Sequence, residues 1–324
     1  MANVRTIGSL VALPFEYAWD FIRACRWSKA SPLAPVRKSM YYDVILLAHT
    51  VEKGLSQPSP RPRFGKQKIV ALLDLCDRYR ESWDQFPIEK TYGALLAYIE
   101  WHMNAKEPMG ELESRIVGFV SRCRDRGLVN RGGTKLLPQT AMERTMEKGG
   151  GLLESRYSCR KFDDRIVSRE VVERVISIAQ RAPSQCNRQS SRVHCYQNHD
   201  DIQGLLKLQK GASGFAEGVR NLFVVTSDMA AWSGCNARNQ SFVDGSLFAM
   251  QLALACSSLG IGSCALNLAV GNARERLIRI AGNIPHGERL ILMMAFGYPD
   301  CEEALIVAKS ERISLDVVAT FHNH

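Results

Sequence analysis

Apolar residues in the first 150 positions recur at three- and four-residue spacing, a pattern typical of amphipathic helices. The clearest example lies within residues 69–83. Its apolar stripe consists of Ile69, Leu72, Leu73, Cys76 and Tyr79. Segments 92–103 and 111–123 follow the same spacing less regularly. The pattern predicts that the first half of the chain is mainly helical.

The second half alternates strand and helix patterns. Segments 192–197 and 222–226 are rich in β-branched and aromatic residues, and 290–296 is continuously apolar, so three strands are predicted. Ser168 is predicted to cap a helix. A long helix rich in small residues is expected over 244–259. Because these elements form no regular βαβ repeat, the fold class predicted is α+β.

Glycine clusters at 132–133 and 149–151 mark the predicted domain boundary. A mainly helical N-terminal extension at 1–150 would precede a second domain at 151–324. Prolines at alternate positions in 58–62 exclude a helix there and favour an extended backbone. That segment is predicted to be either a docking strand or a linker.

Composition narrows the class of protein. The chain has 324 residues, 46% hydrophobic and 23% charged, which is ordinary for a globular protein. Its ten cysteines include no Cys-x-x-Cys pair, so a zinc ribbon or a disulfide framework is not expected. Charged residues interrupt the apolar N-terminal stretch, which lacks the succession of basic, apolar and small residues that is typical of a secretory signal. The expected location is cytoplasmic.

The net charge of +9 is unevenly distributed. Residues 1–150 hold 23 Lys and Arg against 16 Asp and Glu. This basic half would suit a weak contact with a membrane surface or an anionic glycan, and residues 7–27 are one candidate for membrane attachment. The alternative is a solvated surface, since no basic run reaches five or six residues. Nucleic acid is not an expected partner.

Three short patterns carry candidate chemistry. Arg156, Ser158 and Arg160 alternate, so on an extended segment they would face one side and suit a phosphate or an anionic ring. The alternative is an ordinary basic edge strand. Residues 182–189 offer amide and hydroxyl groups that suit a heterocycle edge, or form a plain polar turn. Lys309 and Arg312 are a further cationic candidate.

Residues 260–265 match the glycine spacing of a dinucleotide-binding turn. That turn must follow a strand and begin a helix, whereas this segment follows a predicted helix. The sequence therefore predicts a helix end that leads into an extended segment.

Six motifs occur in one order along residues 152–321. They are Arg-x-Ser-x-Arg-x-Phe at 156–162, Ala-Pro-Ser-x-x-Asn-x-Gln at 182–189, the helix from Asp244, Leu-Gly-Ile-Gly-Ser-Cys at 259–264, Phe-Gly-Tyr-Pro at 296–299 and Lys-x-x-Arg at 309–312. In this order they resemble the nitroreductase family of FMN-dependent oxidoreductases. The resemblance implies a nitroreductase-like α+β fold, an intertwined homodimer with FMN at the subunit interface, and NAD(P)H as electron donor to a small organic acceptor.

The resemblance also implies which residues bind the cofactor. Arg156 and Arg312 would hold the FMN phosphate, with Tyr157, Ser158 and Lys309 alongside, and Arg160 would face the N1/O2 edge of the ring. Residues lining the ribityl chain and ring would be Pro183, Ser184, Asn187 and Gln189. Those along the N5 side would be Cys264, Ala265, Leu266 and Asn267. No catalytic side chain is implied, because the flavin performs the redox step.

The sequence departs from the family pattern in places. Ser190 and Ser191 replace the usual aromatic residue, and loop 230–243 is where substrate selection is expected. Residues 49–55 and 61–65 resemble an extension of nitroreductase-like proteins associated with polysaccharide biosynthesis. The alternatives are a flavin oxidase of the azoline-oxidase type and a non-catalytic flavin-binding or scaffold protein of such a system.

Overall fold

The structure is a computed structural model of the chain. It describes residues 4–29, 31–57, 60–79, 84–134, 151–154, 156–212, 214–233, 235–300 and 314–322.

The first half is helical, as predicted. Its helices are α1 (Val4–Trp27), α2 (Val36–Leu55), α3 (Lys66–Arg78), α4 (Phe86–Ala105) and α5 (Glu113–Asp125). The apolar stripes of α2 to α5 meet in one core around Leu72, Leu95 and Ile116, which are fully buried. Burial of these stripes, rather than capping, holds the bundle together.

The segment 49–54, which reads His-x-x-Glu-Lys-Gly, stabilises this bundle. The Lys90 ammonium donates to both carboxylate oxygens of Glu52, at 2.7 and 2.8 Å, and the Gly133 backbone N–H donates to the same carboxylate. A Cβ at Gly54 would lie 2.0 Å from the Phe64 ring. The motif residues in this half of the chain therefore have a packing role.

The second half is built on an antiparallel sheet. Its strands are β1 (Ser191–Tyr196), β2 (Asn221–Asp228), β3 (Gly262–Asn267) and β4 (Glu288–Gly297), in the order β1-β2-β4-β3. Its helices are α6 (Arg169–Ala179), α7 (His199–Gln209), α8 (Gln240–Ser258), α9 (Asn272–Ala281) and α10 (Leu315–Val318). The predicted α+β class is confirmed.

Local signals explain where several of these elements begin. Ser168 caps α6 as predicted, because its side chain accepts a hydrogen bond from the Val171 N–H. Helix α8 lies so close to the sheet that a Cβ at Gly245 would meet Ile291 at 2.6 Å. Residues 260–265 lead from α8 into a strand, which excludes the dinucleotide-binding turn.

Two local predictions were wrong. Helix α3 ends at Arg78, and Tyr79 is extended although it is buried with the stripe. Helix α8 begins at Gln240, four residues before the predicted start, so loop 230–243 is shorter than expected. Neither the end of α3 nor the start of α8 is marked by a glycine or a proline.

The extended backbone predicted over 58–62 is tested only in part, because residues 58 and 59 lie outside the described residues. Residues 61–64 form a turn closed by the Phe64 N–H and the Arg61 carbonyl, with Arg63 at φ 55°.

The N-terminal helices pack on the second half. Tyr42 is buried with Ala230, Ala231 and Trp232, and its hydroxyl accepts a 2.9 Å hydrogen bond from Arg192. The predicted boundary near residue 150 follows a segment, 135–150, outside the described residues, so the division into 1–150 and 151–324 stays a prediction. Within the described part of the chain, no helix is long and apolar enough to cross a membrane.

Candidate functional site

The Arg-x-Ser-x-Arg segment lies along the outer edge of the sheet. The Cys159 N–H donates to the Ser263 carbonyl at 2.9 Å, and Ser158 forms a parallel bridge with Ser263 of edge strand β3. The approach is close, since a Cβ at Gly262 would lie 2.7 Å from the Cβ of Cys159. Glycine at position 262 allows the two backbone segments to approach each other this closely.

This edge of the sheet is electropositive. Arg156 is half-buried and Arg160 is exposed, and neither has a carboxylate partner among the described residues. Burial raises the pKa of the neighbouring Cys264 thiol, while the charges of Arg160 and Arg156 act in the opposite direction. Two guanidinium groups are therefore available here to an anionic ligand.

A backbone donor also faces this edge. The Ser263 carbonyl accepts from Cys159, and the Asn267 carbonyl accepts from the Gln209 side chain at 2.9 Å, so both point away from β4. Because backbone direction alternates along an antiparallel strand, the N–H of Ala265 points the same way. It lies between two positions already engaged and is the intervening donor on this edge.

The second segment predicted to bind the cofactor, residues 182–189, is a strained loop. Cys186, Asn187 and Gln189 have φ values of 52°, 51° and 53°, in the left-handed region that non-glycine residues rarely adopt. The loop is held by the Ser184 hydroxyl, which accepts from the Gln189 N–H at 3.0 Å, and by Asp244, which accepts from the Gln185 N–H at 2.9 Å. Such strain is common at binding sites, where the surrounding structure maintains it.

The two predicted segments do not meet within one chain. Ser191, just after the loop, is in register with Ser227 and then Arg289, whereas Gly262 is in register with Gly297. These positions lie about 14 Å apart across the sheet and about 26 Å apart along the strands. The loop and the Arg-x-Ser-x-Arg segment thus occupy opposite edges and opposite ends of the sheet.

A cavity adjoins the strained loop, and its walls come from both halves of the chain. Pro183, Ser184 and Gln189 line it on the loop side, and Tyr41 and Phe86 line it from the N-terminal helices. Tyr41 and Phe86 were not among the predicted site residues. No sequence pattern could have indicated them, because they reach the loop only through the packing of α2 and α4.

The other predicted site residues differ in exposure or lie outside the described residues. Tyr157 and Asn267 are exposed and Leu266 is buried towards the core. Lys309 and Arg312 lie outside the described residues. The first part of loop 230–243 does not suit substrate selection, because Ala230 and Trp232 are covered by Tyr42 of α2.

Comparison with known proteins agrees with the resemblance seen in the motifs. Residues 153–221 match the model of the nitroreductase family. No curated protein matches the chain.

Several solved structures are similar to this chain. An FMN-dependent nitroreductase from Clostridium difficile R20291 is 20% identical, with a TM-score of 0.45, over 54% of this chain and 99% of that one. A nitroreductase family protein from Clostridium difficile 630 is 25% identical, with a TM-score of 0.43, over 53% and 97%. A nitroreductase-like protein from Streptococcus mutans is 20% identical, with a TM-score of 0.46, over 55% and 100%.

Proposed function

We propose that this protein is an FMN-dependent oxidoreductase that takes hydride from NAD(P)H and passes it to a small organic acceptor. The observation that carries the proposal is the edge of β3, where the segment with Arg156 and Arg160 lies along the strand and the Ala265 N–H points to the same side. This edge falls in and next to the segment that matches the nitroreductase family. When bound, FMN would supply the two-electron chemistry that no side chain provides.

The donor set at this edge fits FMN. Arg156 offers a forked cation to the phosphate, with Ser158 as a hydroxyl partner. Arg160 would lie near the N1/O2 edge of the ring, where reduction increases negative charge and a fixed cation stabilises it. The Ala265 N–H would donate to the N5 side. The chain would thereby bind the flavin, orient it and favour its reduced form.

The site would be completed by a second copy of the chain. The strained loop with Pro183, Ser184, Asn187 and Gln189 is farther from the β3 edge of its own chain than a flavin ring is long. One flavin can contact both segments if each comes from a different chain. Helix α8 carries an exposed apolar stripe that would form such an interface, with Val243, Leu247 and Met250 spaced by four and three residues.

The acceptor would bind beside the strained loop. Tyr41 and Phe86 give the adjoining cavity two aromatic walls, which suit a flat organic molecule. Burial raises the pKa of the Tyr41 hydroxyl to about 12, so this side chain stays neutral at physiological pH. The N-terminal helices would then take part in selecting the acceptor.

Mixed dimers test the two-chain site. One variant is Arg156→Glu, and the other is Asn187→Gly with Gln189→Gly, since glycine keeps the positive φ of both positions. Each variant alone is expected to bind FMN weakly. Co-expressed and purified as a mixed dimer, the two variants should regain one of two sites at the affinity of the unaltered protein.

A site built from one chain gives a different result, because every site in the mixed dimer would carry one of the two defects. Titration of FMN against the purified mixed dimer separates the outcomes. Recovery of one tight site supports the proposal, and absence of any tight site contradicts it.

A further inference from the structure

Helix α1 faces the protein with its charged side. The Glu16 carboxylate accepts from the Asn272 N–H at 2.8 Å, and Asp20 accepts from Arg289 at 2.6 Å. Arg23 is buried and paired with Glu275. These positions are spaced by four and three residues, so they form one stripe of the helix. Between residues 16 and 23, the contacts that dock α1 on the second half of the chain are therefore polar.

The opposite side of α1 is apolar and exposed. Phe15 is 73% exposed, Trp19 48% and Ile22 53%, and Tyr17 and Phe21 are exposed as well. With 3.6 residues per turn, the exposed positions between residues 11 and 26 cover about 220° of the helix circumference. In an ordinary surface helix the apolar side faces the core. In α1 this arrangement is reversed.

Neighbouring helix α9 extends this surface. Its exposed Leu277 and Ile280 lie on the outer side, and Ile280 lines a shared groove with Trp19 and Ile22. Arg26 and Arg276 also line the groove and are exposed to solvent. We call these residues of α1 and α9 together the α1–α9 surface.

We propose that the α1–α9 surface lies on a membrane that carries anionic lipids, with α1 in the plane of the interface. Exposed Trp, Tyr and Phe residues favour the boundary between headgroups and acyl chains, and Arg26 and Arg276 complement anionic headgroups. The acidic residues of α1 do not oppose this contact, because Glu16 and Asp20 are engaged on the inner side.

The width of the exposed face favours lipid over a second copy of the chain. A packed partner helix covers a stripe about 100° wide, whereas an interfacial helix can immerse a much broader face. A second copy packed on this surface would also bring its own Arg26 and Arg276 towards Arg26 and Arg276 of the first copy, and these like charges would repel. Neither objection applies to an anionic lipid surface.

Vesicle co-sedimentation of the full-length protein tests the proposal. The vesicles would be phosphatidylcholine alone, and phosphatidylcholine mixed with phosphatidylglycerol. Two double variants alter the surface, Phe15→Ser with Ile22→Ser and Arg26→Glu with Arg276→Glu. A matched control, Val117→Ser with Val129→Ser, removes two exposed apolar side chains from the N-terminal half. Circular dichroism and native mass, measured without lipid, show whether each variant is folded.

The unaltered protein and the control should bind the anionic vesicles about tenfold or more tightly than phosphatidylcholine alone, and added salt should weaken this binding. Both surface variants should lose about tenfold or more in affinity while they keep their fold and mass. The proposal is overturned if the protein ignores both vesicle types, or if folded surface variants bind as the control does. It is also overturned if the double variant Phe15→Ser with Ile22→Ser has half the native mass of the unaltered protein without lipid. The surface would then be an interface between copies.

Discussion

The Cys159 backbone N–H donates to the Ser263 carbonyl at 2.9 Å, which fixes the Arg-x-Ser-x-Arg segment along edge strand β3. Residues more than a hundred positions apart in sequence are joined here by one hydrogen bond. Because side chains alternate along an extended backbone, Arg156 and Arg160 flank this contact on the side away from buried Cys159. The hydrogen bond thus places both cations at the same edge of the sheet.

The first prediction separates the roles of these two arginines. Arg156→Ala should weaken FMN binding by about tenfold to a hundredfold, since a hydrogen bond to a charged group contributes about 1.5–3 kcal/mol. Arg160→Ala should lower the reduction potential of bound flavin by about 30 mV for each 1.4 kcal/mol of lost stabilisation of the reduced ring. FMN titration and a redox titration measure the two effects.

Lys161→Ala is the matched control, because Lys161 lies between Arg160 and Phe162 and pairs with Asp300 at 2.9 Å. It should change neither observable. If Arg156→Ala and Arg160→Ala alter affinity and potential to the same extent, the assignment of phosphate and ring edge is wrong.

The second prediction concerns the exposed stripe of α8. Met250→Glu places a charge in the proposed interface between copies, where it would be desolvated without a partner. We expect the native mass to fall to that of one chain and FMN binding to weaken at the same time. Val117→Glu, an exposed apolar position on α5, is the control. A stable dimer in Met250→Glu would place the interface elsewhere.

The third prediction concerns the acceptor cavity. Phe86→Ala removes one aromatic wall and should raise the KM for an aromatic acceptor by about threefold to tenfold. The Kd for FMN should change little, because Phe86 lines the acceptor cavity and is not one of the residues proposed to bind the cofactor. Phe21→Ala truncates an exposed phenylalanine on α1 and should alter neither quantity in a lipid-free assay. An unchanged KM in Phe86→Ala would show that Phe86 of the N-terminal helices does not contribute to acceptor binding.

The fourth prediction is a pH dependence in the docking of α1. Burial alone would raise the pKa of Glu275, but Arg23 and Arg279 outweigh it and hold the pKa below its ordinary value of 4.5. A carboxyl with a lowered folded-state pKa stabilises docking fully above its unfolded pKa, and this stability is lost as the pH falls through the lowered pKa. The protection of the amides over residues 16–27, taken as the exchange rate relative to the intrinsic rate at the same pH, should therefore decrease below about pH 4.5.

Glu275→Gln is the control for that acid transition. The variant should show fast exchange over residues 16–27 already at neutral pH and a smaller acid-induced change. The same pH profile in both proteins would mean that the Arg23–Glu275 pair does not control docking.

The sequence could predict elements whose signals are local. The stripe around Leu72 and Leu73, the Ser168 cap and the strand before Thr226 each follow from spacing or residue type within a short window. The glycine-rich segment after α8 was correctly assigned to an extended structure because no strand precedes it. These features require no knowledge of distant residues.

The rest depends on contacts that short windows do not contain. The start of α8 at Gln240 is stabilised by a hydrogen bond from its side chain to Asp244, which no cap motif marks. Tyr41 and Phe86 reach the strained loop only through the packing of two helices. The reversed orientation of α1 depends on partners at 272, 275 and 289, so its apolar pattern alone could not show which side faces outward.

The most direct measurement is an anaerobic absorbance spectrum of the purified protein, taken before and after addition of NADPH and then of NADH. The proposed oxidoreductase should show a flavin spectrum that bleaches with at least one of the two nicotinamides. A protein that is colourless, and that also fails to bind added FMN, would contradict the assignment.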